Sequence, residues 1–184
     1  MVRTTKKKIL VISLVVLILA AIIGTFIYFQ KPENQNYTGL NMSPGWNVAD
    51  NIQYGSQNTN FASEMEDMEY YTFLQGKGPY TIFVPTDKAY DNLPAKTKDL
   101  MDNDDGSLRQ ILLYNIVKGS YKVSDFRDGM TLTTVQGDDI TVTKDGNDWV
   151  LDGYAYIETP DAVSKNGVIH MTTNYLIPPS LGKK

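Results

Sequence analysis

An uninterrupted run of uncharged residues near the N-terminus sets the strongest limit on how this chain can fold. Residues 9–29 contain no Asp, Glu, Lys, Arg or His, and most of their side chains are aliphatic. As an α-helix, a segment of this length extends roughly 31 Å, which is enough to cross the hydrocarbon core of a bilayer. The run therefore predicts one transmembrane helix or signal anchor.

Basic residues before this run predict its orientation. Arg3, Lys6, Lys7 and Lys8 lie within residues 1–8, which contain no acid. Positively charged flanks stay in the cytoplasm, so residues 1–8 are predicted to be a cytoplasmic tail and the chain after residue 29 extracellular. The alternative is a cleaved signal peptide, which would give a secreted protein. Apolar cores of signal peptides are about 7–15 residues long, so the longer run favours a retained single-pass anchor in the cell membrane.

The composition of the remaining chain excludes several classes of function. There is no cysteine, which rules out disulfides, thiolate metal sites and a cysteine nucleophile. Without the four basic residues of the tail, 13 Lys and Arg stand against 21 Asp and Glu, a balance of −8. A surface of this sign repels phosphate and so disfavours both nucleic acid and anionic lipid headgroups. Nucleic acid is therefore not an expected partner.

Short polar segments flank the predicted globular part. Residues 30–45 are rich in Asn, Pro and Gly, which predicts a stalk, and residues 180–184 are predicted to be a C-terminal tail. Asn36 and Asn41 each begin an N-x-S/T pattern and are candidate glycosylation sites. Residues 46–179 are then left as one domain, of a size that can bury a sufficient core without disulfides.

Hydrophobic periodicity within this domain changes from helical to strand-like along the chain. Val48 and Ile52, and then Phe61, Met65 and Met68, recur at helical spacing. Helices are also predicted after residue 86 and from residue 107. Strands are predicted at 80–84, 115–117, 132–135, 140–143, 149–151, 154–157 and 168–171. Helices followed by closely spaced strands indicate an α+β domain with a largely antiparallel sheet.

Residue types that carry catalysis or bind metals are sparse. His170 is the only histidine, and without cysteine or a second histidine it cannot complete a transition-metal site. The acidic segment 101–107 fails the spacing of an EF-hand loop, because glycine falls at the fifth position instead of the sixth. There is no G-x-S-x-G motif and no glycine-rich phosphate loop. The sequence thus predicts no enzyme, no metal, no cofactor, and a structural role for His170.

Three segments together resemble the fasciclin-like domain family. GPYTIFVPTDKAY at residues 78–90 resembles the family's first signature, in which a strand ending at Pro85 and Thr86 leads into a helix. NGVIHMTTNYLIP at residues 166–178 resembles the second signature and holds Asn166, Gly167 and His170. ILLYNIVKG at residues 111–119 resembles the segment between them. The resemblance implies a wedge-like α+β fold of mostly antiparallel strands with several short helices, here preceded by one transmembrane helix.

The resemblance also implies roles for individual residues. The signature positions expected to be structural are Phe83, Pro85, Thr86, Asn166, Gly167 and His170. The family's tyrosine–histidine pair, linked in some members to integrin recognition, is Tyr114 and Asn115 here. Both are therefore expected to contribute to binding. Asn115 cannot become charged near neutral pH as imidazole does, so integrin recognition itself is not expected to carry over.

These expectations combine into one functional hypothesis and one alternative. Fasciclin-like domains are secreted or membrane-anchored and mediate adhesion, so the resemblance implies a non-catalytic, membrane-anchored extracellular module. Its expected partner is a cell-surface or matrix protein or a polysaccharide. The alternative is a small-ligand-binding or carrier domain at the outer membrane face. The aromatic residues that would line its pocket are Tyr114, Tyr121, Trp149, Tyr154 and Tyr156.

Overall fold

A computed structural model of the chain describes residues 39–182. The predicted cytoplasmic tail, the apolar run 9–29, the greater part of the predicted stalk with Asn36, and Lys183 and Lys184 lie outside the described residues. Within residues 39–182, no helix combines the length and the apolarity needed to cross a bilayer.

The described chain is mainly helical in its first half and mainly strand in its second. The helices are α1 (Val48–Gln53), α2 (Thr59–Asp67), α3 (Tyr70–Leu74), α4 (Asp87–Asp91), α5 (Ala95–Asn103), α6 (Asp105–Tyr114) and α7 (Pro179–Gly182), with a 3₁₀ turn at Val123–Asp125. The strands are β1 (Tyr80–Pro85), β2 (Ile116–Lys118), β3 (Met130–Thr133), β4 (Asp139–Asp145), β5 (Asp148–Leu151), β6 (Ala155–Ser164) and β7 (Gly167–Thr172). This content confirms the predicted α+β class.

The described strands form a seven-stranded sheet in the order β2-β1-β7-β6-β5-β4-β3. β1 and β7 pair in parallel, whereas the other neighbours pair antiparallel. The outer strands also meet, because Val117 forms an isolated bridge with Thr134 and the Val135 amide donates to the Ile116 carbonyl at 2.7 Å. The sheet therefore curls until its two edges touch at this point.

Two hydrophobic clusters cover the central strands. The first includes Ile52 of α1 and Phe61 of α2, and the second is formed largely by the strands. Along β1, Ile82 and Val84 enter the first cluster and Phe83 enters the second. Since successive side chains of a strand point to opposite faces, the clusters lie on opposite faces of the sheet. Burial on both faces explains why β1 is a nearly continuous apolar run, interrupted only by Thr81, instead of an alternating one.

The predicted stalk boundary at residue 45 is wrong. Leu40 and Met42 are buried in the first hydrophobic cluster, and the Ser43 amide donates to Oδ1 of Asn51 at 2.7 Å. Residues 39–45 therefore belong to the folded domain. Two apolar side chains in a polar segment carry no periodicity, so the sequence pattern did not reveal them. At the other end, α7 extends to Gly182 and occupies part of the predicted tail 180–184.

Helix starts differ from the predictions in detail. Thr86 caps α4, since its side-chain oxygen accepts from the Ala89 amide at 3.3 Å. The helix predicted from residue 107 begins two residues earlier, at Asp105. Asp104 is its cap and accepts from the Gly106 amide at 3.0 Å and from the Ser107 hydroxyl at 2.7 Å. A carboxylate at this position also interacts favourably with the helix dipole.

Candidate functional site

The two signature segments lie side by side in the centre of the sheet. The parallel register of β1 and β7 places Phe83 opposite His170 and Pro85 opposite Thr172. The rings of Phe83 and His170 stack with their centroids 5.6 Å apart. Both side chains are fully buried, so this contact belongs to the core and not to a surface.

Asn166 and Gly167 fix the start of β7. The Asn166 side-chain amide donates to two carbonyl oxygens at the end of α3 and in the following turn, both at 2.8 Å, and its Oδ1 accepts from the Val48 amide at 2.8 Å. A Cβ atom on Gly167 would overlap the Tyr80 carbonyl oxygen, so glycine is required for this close approach of β1 and β7. Both residues therefore act on the scaffold.

His170 is buried, and both of its ring nitrogens contact backbone groups. Nε2 donates to the Tyr121 carbonyl at 2.8 Å, and the Asp161 amide donates to Nδ1 at 3.2 Å. These partners assign the neutral tautomer with hydrogen on Nε2. Burial lowers the pKa of His170 against the opposing effects of the Tyr121 carbonyl and of the Asp161 carboxylate, 3.8 Å from Nδ1. Neither nitrogen is free for a substrate or a metal.

The rest of the described chain offers no metal centre either. Among residues 39–182, no group of three or more His, Asp or Glu side chains is arranged to hold a metal ion.

Tyr114 and Asn115, the pair expected to contribute to binding, are both fully buried. The Tyr114 hydroxyl lies 2.8 Å from Oδ2 of Asp152. The Asn115 amide group donates to the Leu176 carbonyl at 3.0 Å and accepts from the Leu176 amide at 3.3 Å. Neither side chain can touch a partner directly in this structure. Each instead holds a segment that reaches the surface.

Those two segments border an open groove of about 540 Å³, which we call the Tyr154 groove. Its lining residues are Thr141, Asp152, Gly153, Tyr154, Ile177, Pro179 and Gly182. The side chain of Tyr154 is 40% exposed, while its hydroxyl accepts from the Ile177 amide at 2.9 Å. The groove thus presents an aromatic ring whose hydroxyl is hydrogen-bonded to Ile177, another residue of the groove lining.

Asp152 supplies the acidic side of the groove. Its Oδ1 accepts from the Thr141 amide at 2.8 Å, and its other oxygen faces the Tyr114 hydroxyl. Burial raises the pKa of Asp152, and the hydrogen bonds from Thr141 and Tyr114 oppose that effect. Two donors hold the carboxyl group in place, which gives the groove a fixed polar wall beside the Tyr154 ring.

The structure does not gather the aromatic residues that the carrier alternative needs. Tyr154 lines the Tyr154 groove, whereas Tyr121 lines a separate groove of about 380 Å³ between β2 and β3. Trp149 packs against the second hydrophobic cluster, and the Tyr156 hydroxyl donates to Asp145 at 2.8 Å. Neither groove is lined by a second residue of this aromatic set, so neither is the pocket that the carrier alternative needs.

Sequence reasoning missed Thr141 and Asp152. The pair Asp152-Gly153 carries a turn signal, and Asp152 does take a positive φ of 52°. Its contact with Tyr114, however, joins positions 38 residues apart. No local pattern predicts such a pairing.

Known proteins match this chain in sequence and in fold. A family model described as the fasciclin domain matches residues 56–178. Transforming growth factor-beta-induced protein ig-h3 of Sus scrofa is 32% identical over 109 residues, which are 59% of this chain and 16% of that protein. Cell surface glycolipoprotein MPB83 of Mycobacterium bovis is 34% identical over 114 residues, 62% of this chain and 50% of that protein. The chain thus spans half or less of these relatives.

One solved structure shows the same fold. It is a FAS1 domain pair from the insect cell adhesion molecule fasciclin I, with a TM-score of 0.65 and 18% sequence identity. The match covers 75% of this chain and 53% of that chain. At this identity the likeness concerns the fold alone.

Proposed function

This chain belongs to the fasciclin domain family, and from that premise we propose that it is a non-catalytic adhesion or interaction module displayed outside the cell. Its partner is a cell-surface or matrix protein or a polysaccharide, bound at the Tyr154 groove. The observation that carries the proposal is the exposed Tyr154 ring beside the fixed carboxyl of Asp152. The Tyr114 hydroxyl binds that carboxyl, and Asn115 binds the Leu176 carbonyl in the segment on the other side of the groove. The name of one matched protein, a cell surface glycolipoprotein, supports the same proposal.

The proposed arrangement along the chain follows from the sequence. Residues 1–8 form a cytoplasmic tail, residues 9–29 a retained membrane anchor, and residues 30–38 a short linker. The domain from residue 39 onwards is then extracellular. The apolarity and length of residues 9–29, together with the basic residues before them, support this arrangement.

A binding role suits the groove better than a catalytic one. A Tyr ring contributes a large contact area at low conformational cost and is enriched among the residues that dominate interface energetics. The sole histidine lies fully buried with both nitrogens engaged, so it cannot serve as a general base. No cofactor is required for binding of this kind.

The groove can be tested by filling it. Thr141 is exposed on β4 and lines the groove, and its hydrogen bonds with Asp152 use only its backbone amide and carbonyl groups. Thr141→Trp should therefore occupy the groove without removing a buried contact. Expressed as the full chain on a host cell, this variant is expected to lose attachment to protein-coated or polysaccharide-coated surfaces as completely as deletion of residues 39–182 does.

The matched control is Asn147→Trp, which adds the same side chain at an exposed position in the turn between β4 and β5, away from the groove lining. This variant should attach like the unmodified chain. Whichever coated surface supports attachment identifies the class of partner. Full attachment by Thr141→Trp, with its circular dichroism unchanged, would exclude the groove as the binding site.

A further inference from the structure

We propose that a second surface, the aromatic rim formed by Trp46, Tyr54 and Phe73, rests on the lipid headgroup layer of the membrane that holds the chain. This inference depends on the anchoring part of the proposed function, and the experiment below separates the two. The partner is the bilayer surface itself, and the rim is distinct from the Tyr154 groove.

The rim contains large apolar side chains that the fold leaves exposed. Tyr54 is 53% exposed and Phe73 is 39% exposed. Trp46 is half-buried, and its ring meets that of Tyr54 edge-on with centroids 5.5 Å apart. Trp and Tyr are the side chains that prefer the boundary between hydrocarbon and water, because they combine an apolar body with a polar atom.

Asn166 brings the separate parts of the rim to the same end of the domain. Its side chain bonds the amide of Val48, two residues after Trp46, and the carbonyl of Leu74, the residue after Phe73. The backbone of Lys165 adds a third link, since its amide donates to the Trp46 carbonyl at 2.8 Å. Hydrogen bonds from residues 165 and 166 to backbone groups thus fix the segments that carry the rim relative to one another.

Two lysines accompany the rim. Lys165 precedes Asn166, and Lys77 follows Gly76, whose carbonyl Asn166 also binds. Both lysines are exposed, and neither ammonium group pairs with an acid among the described residues. Exposed ammonium groups beside aromatic side chains suit contact with the phosphates of anionic lipids. These two lysines give the rim a local positive charge, although the chain outside residues 1–8 has a net charge balance of −8.

The path of the chain argues for lipid as the occupant. Residues 39 and 40 are held beside Tyr54, because the Ser56 hydroxyl donates to the Gly39 carbonyl at 2.6 Å and the Ser56 amide donates to the Leu40 carbonyl at 3.1 Å. Residues 30–38 are all that separates Gly39 from the apolar run. Fully extended, those nine residues reach roughly 30 Å. An anchor in residues 9–29 therefore keeps this end of the domain close to the bilayer.

The test uses the full chain reconstituted into vesicles of phosphatidylcholine and phosphatidylglycerol, with or without bromine on the acyl chains. The chain has two tryptophans, so Trp149→Phe leaves Trp46 as the only one and Trp46→Phe leaves Trp149. Trp46 emission is expected at shorter wavelengths than that of a tryptophan exposed to water. It is also expected to be weaker in the brominated vesicles than in those without bromine. Trp149 emission should not change, because Trp149 packs against the second hydrophobic cluster.

A second set of variants tests the rim itself in the Trp149→Phe background. Tyr54→Ser combined with Phe73→Ser should reduce the loss of Trp46 emission, and Lys77→Glu combined with Lys165→Glu should do the same. The matched control is Tyr156→Ser, which removes an aromatic side chain that is also 39% exposed but lies on β6. This control should leave the loss unchanged.

Flotation of the vesicles distinguishes the two proposals. A chain that fails to float with lipid overturns the anchor and, with it, contact of the rim. A chain that floats while Trp46 keeps its full emission in brominated vesicles overturns only the rim contact. A blue-shifted but unquenched Trp46 would mean that protein, such as a second copy of this chain, covers the rim, and would also overturn the proposal.

Discussion

At the scale of single residues, Phe83 is a core side chain that links β1 to β7. It is fully buried and stacks on His170. Phe83→Ala is expected to lower the free energy of unfolding by roughly 3–5 kcal/mol, the cost of removing a core aromatic ring and leaving a cavity. Chemical denaturation measures this loss in the free energy of unfolding. Phe73→Ala is the comparison, because Phe73 is 39% exposed and should cost much less. Equal losses would contradict this assignment of the core.

His170 gives the domain a dependence on mildly acidic pH. Burial lowers the pKa of His170 in the folded state, while the unfolded chain keeps a pKa near 6.5. As the pH falls below about 6.5, the unfolded chain takes up the proton first, so stability is lost. His170→Phe should lower stability at pH 7.5, because two backbone groups lose their partner, yet it should flatten the change between pH 6.5 and 5. If the free energy of unfolding changes equally in His170→Phe and in the unmodified chain between pH 6.5 and 5, the prediction is refuted.

At the scale of elements, one carboxyl group joins α2 to the segment after β7. The Tyr175 hydroxyl donates to Glu64 at 2.9 Å. Burial raises the pKa of Glu64 to about 8, the negative charges of Asp102 and Asp67 add to this, and the hydrogen bond from Tyr175 opposes it. Because the folded chain holds this proton more tightly, the stability that Glu64 contributes is fully present below about pH 4.5 and is lost as the pH rises from there through about 8.

The expected slope for this single proton is at most about 1.4 kcal/mol per pH unit. Glu64→Gln keeps an acceptor for Tyr175 but cannot ionise, so the free energy of unfolding should change less between pH 6.5 and 8.5 than in the unmodified chain. Near pH 6.5 the unfolded chain still binds part of a proton at His170, but both chains keep His170, so this contribution cancels when they are compared. A variant with the same slope as the unmodified chain would show that Glu64 does not titrate there.

The elements also show how far sequence reasoning reaches. β1 and β7 were predicted almost to the residue, because each is a short apolar or β-branched run with a clear boundary. β6 was predicted at 154–157 but extends through Ser164. Its polar second half, with Pro160, does not resemble a strand, and irregular pairing with β7 at residues 157–162 accommodates it.

The candidate site was only half predictable for a related reason. The sequence identified Tyr114 and Asn115 from a motif, yet it could not show that both are buried. Their side chains form hydrogen bonds with Asp152 and Leu176, which lie 38 and 61 residues further along the chain. Pairings of this kind are decided by the register of the sheet and by packing, and neither leaves a local signal.

At the scale of the whole molecule, two exposed aromatic surfaces are formed by different parts of the fold. Strand β4, the turn between β5 and β6, and the C-terminal segment form the Tyr154 groove. Helix α3 and the residues that flank α1 form the aromatic rim. The two surfaces share no residue, so the proposed partner and the proposed bilayer contact do not compete for the same side chains.

This separation predicts that the two activities can be removed independently. Thr141→Trp should abolish attachment while Trp46 emission is still quenched in brominated vesicles. The pair Tyr54→Ser and Phe73→Ser should relieve quenching while attachment remains, because mutations at distant sites without shared contacts act additively. Attachment and quenching are measured on both variants and on their combination. If the rim variant also abolishes attachment, the bilayer contact is needed to present the groove to its partner, and independence is wrong.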